Sequence, residues 1–526
     1  MADNAENSVG KKRKLAPSRT MGEKGGESTA EEISYVEFYS GVGGWTMALE
    51  QAMDNLEYLF AGIWSEHLDS PPRYKLKRLA ALDHSDLCTK VFSHNFEKPD
   101  TQTESGPTPN TKPKKNLDRQ KSYSIEQMPL LQLEEWSADV WAMSPPCQPH
   151  TRQHNEKNHE QNQQQQQRKD LEDPRSKSFL KICEWLEGET SEDGNTNKNS
   201  SRLSDAALPS LIFLENVVGF ELSNSFQKWC SALKSRGYLV GHFHLTPTQV
   251  GIPNDRPRFY SIAFLDREGI GGDKYVHSWY TGSGPKHHVD ATQRADGFLS
   301  YISPKIEKPS GFWGTETKPE IWTALPELAI FWDDDQVQED EIEKISTFLD
   351  CNNPGSSARE ATPERLRVPE KVLKNKSAWC FDIVRPSDRR SSCFTHSYGR
   401  FIRGTGSILY DDDSKIDAIR LLPPEEREFQ EKWMEQLDAS KLRYFSGKEL
   451  ARLFGFSEKF SFPPDTSLKQ QWKLMGNSLN VRVASRLVEM GILLRYYYCH
   501  AKTHEEWDRL EKQVNWQKYE ERRKSK

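Results

Sequence analysis

The chain alternates short apolar runs with longer segments in which apolar residues recur at helical spacing. A β-rich run covers residues 33–39, and four further strand candidates follow it: one ending at Leu82-Asp83, then residues 140–143, 211–214 and 259–264. Helical patterns lie between them, from Trp45 onward and again over residues 226–236. Strands that alternate with helices predict a doubly wound α/β sheet.

Several segments interrupt this alternation. Their polar composition cannot bury a core, so we predict loop insertions over residues 98–121, 153–172 (with glutamines at 163–167), 187–205 and about 330–368. The alternation is lost over residues 266–464, and a helical pattern returns at 481–494, which predicts a second domain inserted into the first. The predicted organisation is a disordered tail over 1–32, a first domain over 33–265, an inserted domain over 266–464, a return over 465–500 and a charged tail over 501–526.

The composition excludes some classes of protein and leaves others open. The 526 residues carry a net charge of −6, which gives no overall basic excess but does not exclude a local basic patch. The eight cysteines form no CxxC pair or Cys/His cluster, which argues against a metal site and against a disulfide framework. The apolar stretch 490–499 is too short to span a membrane, and no apolar leader is present, so we expect neither an anchor nor a secretory signal.

The basic run Lys11-Lys12-Arg13-Lys14 is the one targeting candidate. Such a run is either a nuclear import signal or a solvated charge run. We therefore expect a cytoplasmic protein, a nuclear protein or one that occupies both compartments.

A glycine turn lies between the first strand and the first helix, where residues 41–44 read Gly-Val-Gly-Gly. Glycines let the backbone turn tightly and approach a ligand, and a helix N-terminus adds positive potential. Asp83 ends the next strand, where a carboxylate is placed to hold ribose hydroxyls. An ordinary tight turn explains such a pattern equally well.

A proline-flanked cysteine follows the third strand, in the run Ser144-Pro145-Pro146-Cys147-Gln148-Pro149. The prolines fix the backbone and present one thiol at the carboxyl edge of the sheet, where such folds place ligands. This pattern favours a nucleophilic thiol over a buried, inert one.

Two further polar groups follow later strands. Glu215 ends the apolar strand at 211–214, and it is either a proton donor to a ring nitrogen or a structural carboxylate that caps a helix or pairs with a cation. Arg256 and Arg258 precede the last strand, and they suit a carbonyl oxygen, a phosphate or an ion-pair cluster.

The order of these motifs resembles the cytosine-5 methyltransferase family, in which FxGxGG, PCQ, ENV, RxR and GNS follow one another. Here the five motifs stand at residues 39–44, 146–148, 215–217, 256–258 and 476–478. Residues 144–152, 173–180 and 215–221 resemble the tRNA(Asp) branch of that family, as does the triplet Cys393-Phe394-Thr395. The resemblance implies a Rossmann-like class I methyltransferase fold with an inserted, smaller target-recognition domain.

The resemblance also implies a cofactor, a substrate and roles for individual residues. The cofactor is S-adenosylmethionine and the substrate is a tRNA, namely the cytosine at position 38 in the anticodon loop of tRNA(Asp). The implied catalytic residues are Cys147, Glu215, Arg256 and Arg258, with one arginine supporting the active-site loop. The implied cofactor-binding residues are Tyr39, Val42, Gly43, Gly44, Asp83, Ile125, Glu126, Ser144 and Ser478, and Cys393, Phe394 and Thr395 are assigned to the substrate.

The sequence departs from the family pattern at three places. His150 stands where the branch has phenylalanine, and Asn254 stands where the broader family has glutamine. The glycine turn and Asp83 are about forty residues apart rather than the usual twenty or so, which we interpret as an insertion over 58–76.

Two other functions compete with the tRNA methyltransferase. One is a DNA cytosine-5 methyltransferase, for which the sequence lacks Gly-Phe-Ser after PCQ and has no zinc-binding cysteine array. The other is an inactive nucleic-acid-binding relative, which the presence of Cys147, Glu215 and Arg258 disfavours. The sequence makes no prediction of the oligomeric state.

Overall fold

A computed structural model describes most of the expected folded chain. The described residues are 31–63, 74–97, 121–122, 124–146, 170–171, 173–187, 202–265, 339–350, 363–375, 377–411 and 438–500. Several sequence-based predictions therefore lie outside the described residues: the tail with Lys11-Lys12-Arg13-Lys14, Cys147 and His150, the glutamine run, most of the four polar insertions, residues 266–338 and the tail from 501.

The principal sheet has seven strands in the order β3-β2-β1-β4-β5-β7-β6. Their bounds are β1 Glu31–Phe38, β2 Tyr74–Asp83, β3 Lys121–Ser122, β4 Val140–Met143, β5 Leu211–Val217, β6 Tyr238–Leu245 and β7 Arg258–Leu265. Strands β1 to β5 pair in parallel, whereas β7 runs antiparallel to both β5 and β6. The carboxyl ends of five neighbouring parallel strands therefore meet at one edge, together with the start of β7. In open α/β sheets this edge is where ligands bind.

Helices cover both faces of this sheet. Their bounds are α1 Gly44–Ile63, α2 Asp86–Phe96, α3 Leu130–Trp136, α4 Lys177–Glu187, α5 Asn224–Ser235, α6 Glu370–Leu373, α7 Gly447–Leu453, α8 Leu468–Gly476 and α9 Val481–His500. Serine side chains cap several of the N-termini, as at Ser446 and Ser467, where a capping box forms with the third residue of the helix.

The core has two layers because alternate side chains of each strand point to opposite faces. On β5, Leu211 and Phe213 pack with α1 and α9, while Ile212 and Leu214 pack with α4 and α5. All four are at most 1% exposed, which is why β5 is continuously apolar instead of alternating.

A second, smaller sheet lies in the part of the chain predicted as the inserted domain. It has three strands, β8 Ile383–Val384, β9 Ile408–Tyr410 and β10 Leu442–Arg443, in the order β10-β9-β8. Its apolar residues belong to the same continuous core as the α1 and α9 face of the principal sheet. A buried ion pair supports it, since both terminal nitrogens of Arg443 donate to the Glu449 carboxylate at 2.8 Å.

The Rossmann-like α/β fold is confirmed, and the five predicted strands are present. Strand β6 was not predicted, because glycine and two histidines within it weaken the apolar signal. The segment 58–76, interpreted as an insertion, contains the end of α1, which continues to Ile63, and the start of β2 at Tyr74. The domain limits themselves remain predictions.

No helix among the described residues is long and apolar enough to cross a membrane. Within the same residues, no group of three or more His, Cys, Asp or Glu side chains is arranged to hold a metal ion.

Candidate active site

The glycine turn after β1 has the conformation that its sequence suggests. Gly41 and Gly43 have φ angles of +53° and +91°, a region that favours glycine. A Cβ atom on Gly43 would also lie 2.2 Å from the Phe96 ring, and one on Gly44 would lie 2.9 Å from Leu479. The turn is thus closely packed from two sides and leads directly into the N-terminus of α1.

The carboxylate of Asp83 lies beside this turn. It accepts hydrogen bonds from the Gly41 amide at 2.9 Å and from the Ser85 amide at 2.8 Å. A carboxylate has about four lone-pair sites, so these two bonds orient it and leave acceptor capacity for hydroxyl groups. The arrangement fits the ribose of S-adenosylmethionine.

Three further residues expected to bind the cofactor, Ile125, Glu126 and Tyr39, follow the strands next to Asp83. Strand β3 pairs with the end of β2, and the short helical turn Ile125–Gln127 follows it, with Ile125 buried and Glu126 exposed. The Tyr39 hydroxyl donates to the Ser178 hydroxyl on α4 at 3.0 Å, and burial raises the pKa of Tyr39. Tyr39 has a φ of +56°, so its backbone conformation is strained at the entry to the turn.

A line of side chains leads from the glycine turn toward the next two strands. The Trp45 indole nitrogen, one residue beyond the turn, donates to the Ser144 hydroxyl at 3.0 Å. The Ser144 side chain also lies near the carboxyl group of Glu215, where it acts against the rise in the pKa of that group. Ser144 therefore lies between the glycine turn and Glu215, and it stands three residues before Cys147 in the sequence.

Glu215 and Arg258 face each other across β5 and β7. The Glu215 carboxylate is 3.6 Å from the Nε atom of Arg258, and both side chains are almost wholly buried. Burial raises the pKa of Glu215, while Arg258 and then Arg256 act in the opposite direction without cancelling the rise. A raised pKa keeps a larger fraction of the carboxyl group protonated near neutral pH. A group that donates a proton to a ring nitrogen must be protonated.

Arg256 has a different environment from Arg258. Its Nη1 atom donates to the Phe394 carbonyl at 2.7 Å, and its Nη2 atom donates to the Gly476 and Ser478 carbonyls at 3.1 and 2.7 Å. The guanidinium also lies over the Phe454 ring, 4.8 Å from its centroid. Arg256 thus joins the second domain to the returning segment, which is the supporting role expected of one arginine of the pair.

The triplet Cys393-Phe394-Thr395 lies against these arginines. The Cys393 sulfur is 3.3 Å from Nη1 of Arg256 and 3.7 Å from Nη2 of Arg258. Burial raises the pKa of the Cys393 thiol, but the two guanidiniums lower it by more, so it lies below its ordinary value. Phe394 is fully buried, so its side chain acts through packing.

The structure brings most of the predicted site residues to one edge of the sheet. The cofactor set lies at the ends of β1 to β4, with Ser478 brought alongside by its neighbour Leu479, which packs on Gly44. Glu215, Arg258 and Cys393 form the adjoining group. Cys147 lies outside the described residues, although Pro146 immediately before it follows β4 at the same edge.

Sequence reasoning missed three residues that support this site: Glu37, Trp45 and Ser178. Glu37 is fully buried, and its carboxylate accepts from the Trp45 and Thr46 amides at 3.1 and 3.2 Å, which caps α1. An acidic residue inside an apolar strand was the available signal for Glu37. Trp45 and Ser178 gave no signal, because their partners lie about a hundred residues or more away in the sequence.

Comparison with protein families gives a match to the C-5 cytosine-specific DNA methylase model over residues 33–491. The chain belongs to this family. It is therefore an S-adenosylmethionine-dependent cytosine-5 methyltransferase, and the cofactor follows from the family rather than from a bound molecule.

Individual relatives point to one branch of the family. The chain is 30% identical over 467 residues to the tRNA (cytosine(38)-C(5))-methyltransferase of Mus musculus, covering 87% of this chain and 93% of the relative. It is 27% identical over 466 residues to a protein of Dictyostelium discoideum named DNA (cytosine-5)-methyltransferase, covering 88% of this chain and 94% of that relative. The expected resemblance to the tRNA branch is confirmed.

Solved structures agree with the fold. The crystal structure of a Spodoptera frugiperda DNMT2 mutant matches at a TM-score of 0.53 and 25% identity, over 88% of this chain and 99% of that chain. The Schizosaccharomyces pombe Dnmt2 methyltransferase structure matches at a TM-score of 0.51 and 23% identity, with the same shares covered.

Proposed function

We propose that this enzyme methylates C5 of the cytosine at position 38 in the anticodon loop of tRNA(Asp), through a covalent bond between Cys147 and C6 of the base. The observation that carries the proposal is the buried pair of Glu215 and Arg258, at the same edge of the sheet as the end of β4, the strand that precedes Cys147. The similarity to a mouse enzyme named for cytosine 38 of tRNA supports the substrate.

The chemistry follows from the weakness of cytosine C5 as a nucleophile. Addition of the Cys147 thiolate at C6 breaks the C5–C6 double bond and makes C5 electron-rich. Glu215, with its raised pKa, donates a proton or hydrogen bond at N3 and neutralises the charge that develops there. S-adenosylmethionine, when bound, supplies an electrophilic methyl group.

Arg258 orients the base in this scheme, and the triplet at 393–395 supports that arginine through the contact of Cys393 with its guanidinium. Arg258 lies beside Glu215, so its guanidinium is placed to bind the O2 atom of a cytosine whose N3 faces that carboxyl. Loss of the C5 proton to water and elimination of Cys147 then release 5-methylcytosine.

A tRNA loop suits the site because its bases are already unstacked. A cytosine inside duplex DNA must first be flipped out at a cost of a few kcal/mol, whereas an anticodon loop presents exposed bases. DNA remains the alternative substrate, and the Dictyostelium relative named as a DNA methyltransferase is the observation that favours it.

The test is methyl transfer to tRNA(Asp) and to duplex DNA, measured side by side. We expect transfer to the tRNA to exceed transfer to DNA by at least about a hundred-fold in kcat/KM, or roughly 2.7 kcal/mol. A tRNA(Asp) transcript with uridine at position 38 serves as the matched control and should accept no methyl group. Preferential transfer to DNA would refute the tRNA assignment.

The covalent step is tested by Cys147→Ala. We expect this change to abolish turnover and to leave the Kd of S-adenosylmethionine within about three-fold, because the thiol attacks the base and not the cofactor. Turnover above a tenth of the wild-type rate would show that another group is the nucleophile.

A further inference from the structure

A short loop, residues 396–404, connects Thr395 and Thr405 next to the residues proposed to bind the target cytosine. The Thr395 amide donates to the Thr405 carbonyl at 3.0 Å, which brings the two ends of the loop together. Cys393, two residues before Thr395, contacts both Arg256 and Arg258. The loop over residues 396–404 therefore stands directly beside the groups that are placed to hold the target base.

The base of this loop is tightly fixed. Gly476 approaches so closely that a Cβ atom there would lie 2.1 Å from the Thr395 carbonyl carbon. Gly399, with a φ of +72°, packs closely on Trp472, since a Cβ atom on Gly399 would lie 2.3 Å from the Trp472 ring. The Thr405 hydroxyl donates to the Phe401 carbonyl at 2.8 Å, so the tip is held as well.

The tip presents an aromatic ring to solvent. Phe401 is 56% exposed, and among the described residues it is the only aromatic side chain in the set of large exposed hydrophobic residues. Arg400 and Arg403 on either side are also exposed, and the Arg400 guanidinium lies 5.2 Å from the centre of the Phe401 ring. Across the described part of the chain, no carboxylate forms an ion pair with either arginine.

The stretch of sequence that includes the loop is basic, whereas the whole chain has a net negative charge. Residues 389–403 contain four arginines and no acidic residue, whereas the full chain has a net charge of −6. A local basic segment of this kind attracts a polyanion to one place on an otherwise acidic protein.

An exposed ring between arginines matches the chemistry of single-stranded RNA. Unstacked bases are bound by stacking on aromatic side chains, and neighbouring arginines bind the phosphates on either side. A docking site for another protein would instead present a larger contiguous apolar patch.

We propose that Phe401 stacks on an unpaired base of the RNA substrate close to the target cytosine, and that Arg400 and Arg403 bind the adjoining phosphates. This inference rests on the proposed function, since it assumes an RNA substrate. It adds a contact that fixes the position of the RNA without taking part in the chemistry.

The first experiment removes the ring. We expect Phe401→Ala to raise KM for an anticodon stem-loop RNA about ten-fold or more, with kcat within about two-fold, and Phe401→Trp to restore KM. The matched control is Leu131→Ala, which removes another exposed apolar side chain, 67% exposed, on α3. An unchanged KM for Phe401→Ala would overturn the inference.

The second experiment identifies the base. Stem-loop RNAs with a single abasic site at each loop position in turn are assayed with the wild type and with Phe401→Ala. We expect one abasic substrate to show no further loss with the variant, because the stacked base is already missing. Equal losses on all abasic substrates would overturn the stacking contact.

The third experiment tests the arginines. The double variant Arg400→Ala with Arg403→Ala should flatten the dependence of RNA affinity on salt by about one to two in log–log slope. An unchanged slope would overturn the phosphate contacts.

Failure of this inference and failure of the proposed function give different results. If the wild type methylates the stem-loop and Phe401→Ala does so equally well, only the stacking contact is refuted. If the wild type methylates DNA and not RNA, both are refuted.

Discussion

The two sides of the active site are assembled in different ways. On the cofactor side, Asp83 is oriented by the amides of Gly41 and Ser85, which lie in the adjoining turns. On the base side, Arg256 binds carbonyls of Phe394 and Ser478, which lie 138 and 222 residues further along the chain. The orientation of Asp83 therefore depends on backbone amides of the turns at two neighbouring strand ends, whereas the base side depends on one arginine that joins segments far apart in the chain.

A similar difference separates the two arginines of one short motif, because their guanidiniums contact different groups. Arg256 is 3% exposed and bound to backbone carbonyls, so it holds the second domain in place. Arg258 lies two residues away and faces Glu215, so its guanidinium is at the group that we propose to bind the base.

The largest expected effect comes from Arg256→Ala. The change leaves the buried carbonyls of Phe394, Gly476 and Ser478 without their donor, at roughly 1–3 kcal/mol for each unpaired group. We expect the free energy of unfolding to fall by about 3–5 kcal/mol. The measurement is chemical denaturation followed by tryptophan fluorescence.

Arg258→Ala is the matched control for this comparison. It should cost less stability than Arg256→Ala, because no buried carbonyl of a distant segment loses its donor and Glu215 can take up a proton once the guanidinium is gone. It should nevertheless abolish methyl transfer. Equal stability losses for the two variants would mean that the arginines share one role, and the contrast between the two sides of the site would be lost.

The same contrast explains what the sequence predicts and what it does not. The glycine turn and Asp83 are local, so their positions at strand ends place them correctly from periodicity and turn chemistry alone. The partners of Arg256 come from remote segments, and no local pattern encodes which carbonyls meet a guanidinium. Strand β6 was missed for a simpler reason, since His242 and His244 interrupt its apolar pattern while packing within the protein.

An intermediate effect is expected on the cofactor side. Asp83→Ala should weaken the binding of S-adenosylmethionine by about 1–3 kcal/mol, or roughly 5- to 150-fold in Kd, because ribose hydroxyls would lose a buried acceptor. Isothermal calorimetry with the cofactor measures this directly. The loss should leave RNA affinity unchanged, since Arg258 and the loop over residues 396–404 are untouched.

Asp139→Ala provides the matched control at the opposite edge of the sheet. The Asp139 carboxylate accepts from the Ser34 amide at 2.9 Å and from the Ser34 hydroxyl at 2.7 Å, so its removal costs a similar number of hydrogen bonds. If Asp83→Ala instead binds the cofactor as tightly as wild type does, another acid holds the ribose.

The smallest expected effect concerns the dependence of stability on pH. Burial raises the pKa of Glu37 to about 7 from a usual value of 4.5, although its hydrogen bonds from Thr46 and Trp45 act against the rise. Because the folded state holds this proton more tightly than the unfolded state, the stabilisation is complete below about pH 4.5 and is lost as the pH rises through about 7.

Glu37→Gln removes the titration and keeps one oxygen acceptor at the N-terminus of α1. We therefore expect the stability of wild type relative to Glu37→Gln to decline as the pH rises from 5 to 8, measured by denaturation at each pH. A difference that is constant with pH would mean that Glu37 is ionised throughout and stabilises α1 as a charged cap.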